Sequence, residues 1–169
     1  MKDKQKYTPF LIEDCINRVR LALNLTDGNA PYFEFGTYLE LLKQIQITDV
    51  NQKEIFPLIW LVWDGGENTE NWREDYMYEI NFRLFFCIPV NTELTTRERY
   101  EQVLIPKLYP IVDEFIRQIK CHPNIETGSN FRYPTKIHTY WISQSNQQTT
   151  DSLSSIEIRL ENLLIHKLD

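Results

Sequence analysis

The segment Tyr76 to Ile88 alternates clearly, with Tyr78, Ile80, Phe82, Leu84, Phe86 and Ile88 on one face and Glu79, Asn81 and Arg83 on the other. A period of two over this length is what a half-buried β-strand requires, because successive side chains of an extended backbone point to opposite faces. A chain carrying such a strand folds around a sheet. Phe85 and Cys87 make the second face apolar toward the end of the segment, so a further element should cover that end of the sheet.

Other strands follow from similar patterns. Phe56 to Trp63 is an apolar run of strand length, rich in β-branched and aromatic residues, with Pro57 near its start where a missing N–H costs least. Arg132 to Ser143 and Leu153 to Lys167 read as two strands joined by a long hairpin loop over Gln144 to Asp151. The last one slips phase near Glu161 to Leu163, as a bulge would make it.

Helical spacing appears three times. Ile12, Cys15, Ile16, Val19 and Leu23 lie on one face of a helix that starts at Thr8-Pro9 and stops within Asn24 to Gly28. Pro31 to Gly36 reads as an aromatic connector whose glycine can turn the backbone, after which Thr37 can cap a short helix over Tyr38 to Ile45. Thr95 to Glu98 is a capping box opening a long helix with Val103, Leu104, Leu108, Ile111, Val112, Phe115, Ile116 and Ile119 inward. Pro106 and Pro110 sit inside that pattern and predict a kink or break between Leu104 and Tyr109. Lys120 to Ser129 then reads as a polar loop.

The expected fold is α+β: a four-stranded, largely antiparallel sheet with helices packed on one face, in the order α-α-β-β-α-β-β. With 169 residues, 42% hydrophobic and 25% charged, residues 1–169 are expected to form one domain. Residues 1–7, where Lys2, Lys4 and Lys6 surround Asp3, read as a flexible, solvated segment.

No constellation for catalysis emerges. His122, His138 and His166 are too scattered to converge on zinc, and Cys15, Cys87 and Cys121 lack metal-binding or disulfide spacing, as idle thiols in a reducing compartment would. Gly65-Gly66 has no following Lys-Ser/Thr and no helix to present amides to a phosphate. No nucleophile elbow or Ser-His-Asp set can be assembled. Neither enzyme nor cofactor is therefore expected. No apolar stretch approaches the ~20 residues that span a bilayer, so no membrane is expected, and the chain is read as made in a cytoplasm. A net charge of −6 argues against nucleic acid gripped through its phosphates.

What remains is surface. Aromatic residues reach 13%, with nine Tyr, nine Phe and four Trp, more than a monomeric core of this size needs. Trp63, Asp64, Glu67, Glu70, Trp72, Glu74 and Asp75 form an acidic, aromatic stretch, the candidate contact surface.

The helix from Thr8, the Tyr32 to Gly36 connector, the Phe56 to Leu61 strand and the helix bearing Arg97, Tyr100, Val103, Leu104, Pro106, Leu108, Tyr109 and Pro110 occur in an order that resembles the tail-terminator and head-to-tail joining proteins of tailed bacteriophages. The resemblance implies a virion subunit, assembled in the host cytoplasm, that closes into a homo-oligomeric ring at the neck or tail. Its partners would be other neck, tail or portal-complex proteins, with DNA passing through the lumen without specific binding. An acidic lumen, to which Asp64 to Asp75 could contribute, would repel phosphates. The alternative is a cytoplasmic adaptor or immunity-type protein that binds one partner through the same surface.

Overall fold

The computed structural model describes residues 8–26, 30–47, 56–63, 77–91, 93–127, 131, 133–142 and 151–166. Among these, α1 (Thr8–Ala22), β1 (Tyr32–Gly36), α2 (Tyr38–Ile47), β2 (Leu58–Val62) and β3 (Met77–Asn91) come first. A long helical run follows as α3 (Thr96–Arg99), a π-helix (Tyr100–Leu108) and α4 (Tyr109–Cys121), then β4 (Ile125–Thr127), β5 (Ile137–Ile142) and β6 (Asp151–His166).

The fold is α+β, but the four-stranded antiparallel sheet expected from sequence is replaced by a mixed sheet that has six strands among the described residues. Its order is β1-β2-β3-β6, with β4 and β5 both paired to β6. β1 runs parallel to β2, and the other pairs are antiparallel. The two unforeseen strands are β1, which had read as a connector, and β4, which lies inside the supposed polar loop. Neither carries the alternation that betrays a strand, since β1 is an incompletely buried edge and β4 has three residues with one buried. The parallel pairing follows from α2, because the chain must cross over to bring a second strand in with the same direction.

The helices do not share one face. Leu11, Ile12, Cys15, Ile16 and Val19 of α1, with Ile111, Val112, Phe115, Ile116 and Ile119 of α4, pack on Ile59, Leu61, Leu84, Phe86, Ile156 and Ile158. Phe86 meets Phe115 edge to face at 5.7 Å, an arrangement that the ring quadrupoles favour. On the opposite face Leu41 of α2, fully buried, covers Leu58, Trp60, Val62, Phe85, Cys87 and Leu153. α2 is therefore the element that the apolar Phe85 and Cys87 require.

Local signals set the element ends. Thr37 and Glu40 form a capping box, the Thr37 N–H donating to Glu40 Oε2 at 2.7 Å and the Glu40 N–H to Thr37 Oγ1 at 3.3 Å. Thr95 and Glu98 repeat it at the start of α3. Asn24, at φ 51°, closes α1: the Leu25 N–H reaches back to Arg20 O and the Asn24 N–H to Leu21 O, satisfying carbonyls the helix would leave open.

Of the kink or break expected between Leu104 and Tyr109, the break does not occur. The helix widens into π geometry instead, and the Tyr109 N–H donates to Leu104 O, five residues back. A proline cannot supply the bond to the fourth residue behind it, and the longer reach keeps its neighbours bonded around the gap.

β6 does change phase where the sequence slips. Ile80 pairs with Leu163 but Phe82 with Leu160, so Glu161 and Asn162 stand opposite Asn81 alone. This bulge lets Ile156, Ile158 and Leu160 before it, and Leu163 and Ile165 after it, all reach the same core.

Candidate interaction surface

Of the sequence-derived contact residues, Trp63 alone falls among those described; Asp64, Glu67, Glu70, Trp72, Glu74 and Asp75 lie outside them. Trp63 follows β2, is partly buried and packs against the main core. It borders a cleft of about 350 Å3 with Asn81, Arg83, Arg159 and Glu161, beside the bulge in β6. Arg83 and Arg159 are direct cross-strand neighbours there. Their like charges are moderated by Glu157, 2.7 Å from Arg159, and by the Tyr38 ring beneath Arg83 at 5.6 Å.

The exposed large apolar side chains of the described residues fall into two groups. Leu21, Tyr32, Phe35 and Leu39 form the first, at the β1 end of the sheet. α1 runs alongside β1: Arg20 near its C-terminus donates to Pro31 O at 3.0 Å, and Phe10 near its N-terminus meets Phe35 at 6.4 Å. Glu34, whose carboxylate accepts from the Phe35 N–H at 3.1 Å, and Glu40 place acid beside these rings. Glu13 is exposed on the α1 face that carries Phe10 and Asn17, since residues three and four apart stack on a helix surface.

Tyr100, Ile105, Tyr133 and Ile137 form the second group, at the other end of the sheet beside β5. Here the rings carry cations. Arg99 lies 3.8 Å from the Tyr140 centroid, Lys120 4.3 Å from that of Tyr133 and Lys136 4.4 Å from that of Tyr109. Tyr109 also bonds Tyr100 Oη at 3.1 Å and His138 Nε2 at 3.0 Å, and the three rings meet edge to face. Burial and the bond to Tyr100 push the Tyr109 phenol up to about 12. Burial and Lys136 pull the His138 imidazole down. The cluster is thus neutral at its centre and cationic at its rim, although Asp113 pairs with Lys136.

Sequence reading overlooked both groups because it looked for periodicity. Their signal was the opposite: Leu21, Leu39 and Ile105 are large apolar residues off the buried face of their helices, and Tyr32 and Phe35 crowd a short connector.

Among the described residues no three His, Cys, Asp or Glu side chains gather as metal ligands would. No described helix is long and apolar enough to cross a membrane. A scan against protein-family models gives no match, and a search of curated proteins finds none either.

Proposed function

We propose that the chain is a structural subunit of a tailed-phage virion, one member of a ring at the neck or tail through which DNA passes. The observation that carries this reading is the concentration of exposed apolar side chains at two opposite ends of the sheet. A ring subunit needs two different surfaces, one for each neighbour, because identical copies meeting head to tail close a circle through heterologous contacts. An adaptor bound one to one needs a single patch. The element order of the resemblance supports the placement in a virion, and the net charge of −6 suits a lumen from which DNA must slide free.

The test is the mass of the full chain in solution across concentrations, with electron microscopy of the assembled fraction. Closed rings of fixed stoichiometry with a central opening are expected. A monomer at every concentration, with or without tail and portal proteins, would sink the reading and favour the adaptor. Flanking genes for portal, capsid or tail-tube proteins would place the ring in a particle, and metabolic neighbours would remove it from one.

A further inference from the structure

We infer that the β1 end of one copy docks on the β5 end of the next, an interface that deepens the ring reading and rests on it. Two features of the described surface select a second copy as the occupant. The first is position: the apolar groups sit at the opposite margins of one sheet, so a contact between them is heterologous and leaves each copy with one end still open. The second is charge. Glu13, Glu34 and Glu40 border the β1 group and outnumber its cations, Arg20, which is turned onto Pro31 O, and Lys43, one turn from Leu39, whereas Arg99, Lys120 and Lys136 lie over Tyr140, Tyr133 and Tyr109 in and beside the β5 group. Apolar side chains would be buried at the centre of such a contact, with acid facing base around them, the usual arrangement of interface cores and rims.

Like ends do not fit each other. Two β1 ends would bring carboxylates together, and two β5 ends would bring cations together, so the charges also disfavour the symmetric dimers that would block ring closure. Glu34 adds to this, since its carboxylate occupies the Phe35 N–H and keeps it from recruiting an arbitrary strand.

Two variants of the full chain, each blocked at one end, test the docking. Leu39→Asp disables the β1 end and Tyr133→Asp the β5 end; their side chains are 67% and 69% exposed, so circular dichroism and melting should match the parent protein. Leu21→Asp and Ile105→Asp serve as a second pair. Sedimentation velocity should show the parent chain associating, more weakly as salt rises. Each variant alone should stay monomeric at concentrations about tenfold above those at which the parent associates, the scale expected for losing an interface anchor. An equimolar mixture should give one-to-one dimers and nothing larger, because each variant supplies the end the other lacks. If the parent associates while either variant alone still does so normally, or if the mixture stays monomeric, copies join elsewhere and this docking is overturned, though the ring reading survives. A parent chain monomeric throughout overturns both.

Discussion

His122 Nε2 lies 3.0 Å from Asp14 Oδ2, across 108 positions of sequence, and the bond fastens the end of α4 to α1. The Asn124 N–H donates to His122 Nδ1 at 3.1 Å, so the ring proton resides on Nε2 and is given to Asp14. Arg18 donates to the same carboxylate oxygen at 2.9 Å. Burial lowers the His122 imidazole further than Asp14 raises it, and the ring stays neutral. Burial raises the Asp14 carboxyl, but the bonds from His122 and Arg18 outweigh it and hold the group below the usual value.

These shifts make the fold sensitive to acid. An imidazole in the unfolded chain gains its proton near pH ~6.5, whereas folded His122 gains it only lower. Within that window the unfolded state holds the extra proton, so stability is full above the window and falls as pH descends through it. Asp14 adds a loss of the same sign, beginning in the ordinary carboxylate range, where the unfolded carboxyl takes its proton, and ending below it. Denaturant midpoints should drop between about pH 7 and about pH 5, and the slope should be shallower in His122→Gln. His138 contributes with the same sign, so some slope should remain. An unchanged slope in the variant would refute the assignment.

Gly36 is needed for space. A Cβ there would stand 2.6 Å from Glu40 Oε2 and 2.9 Å from the Trp60 ring, closer than real contacts allow. Gly36→Ala is expected to cost about 1–3 kcal/mol, the range for overpacking a well-filled site. Urea denaturation measures it, and a variant as stable as the parent would show that Trp60 can retreat freely.

The three thiols should react unequally. Cys15 and Cys87 are buried and burial pushes both up to about 12, while Cys121 is exposed on α4. A thiol reagent at neutral pH should modify one cysteine in the folded protein and three after denaturation, and peptide mapping should place the first on Cys121. Rapid modification of Cys87 would mean that α2 leaves its face of the sheet.

Deleting Glu161 should be unusually well tolerated for a deletion within a strand. Asn162 would then stand alone opposite Asn81, and Leu163 would stay opposite Ile80, so Leu163 and Ile165 keep the core face in plain alternation with Leu160. The deletion variant and Glu161→Ala should both stay soluble and melt cooperatively in thermal denaturation. A deletion variant that no longer folds would show that the bulge does more than absorb one residue.

What could be read from sequence was whatever depends on neighbours along the chain. The face of α1, the cap at Thr37, the box at Thr95 and the slip in β6 are all written within a few residues. β1 is not, because Tyr32 to Gly36 becomes a strand only by lying beside Leu58 to Val62, and α2 has to cross over first. Nor is the π-helix, since a proline announces a missing bond without saying whether the helix breaks or widens around it. For the candidate surface, Trp63 was identified by its aromatic character yet packs on the core, while Leu21, Leu39 and Ile105 escaped attention by falling off pattern. Periodicity reveals the inside of a protein; an outside meant for contact shows up as its exceptions.

One interior strand, β6, the last of the described strands in chain order, bonds to β3, β4 and β5. Its ladder with β3 joins Asn91 to Asp151 at one end and Met77 to His166 at the other, so each rung closes a long loop. Such non-local closure is slow, since the entropy of bringing distant segments together must be met before any rung rewards it. During synthesis, then, β3 waits with an open side until the final strand leaves the ribosome, and β4 and β5 have no sheet to join. A chain cut short before residue 151 would lose the keystone rather than the trim.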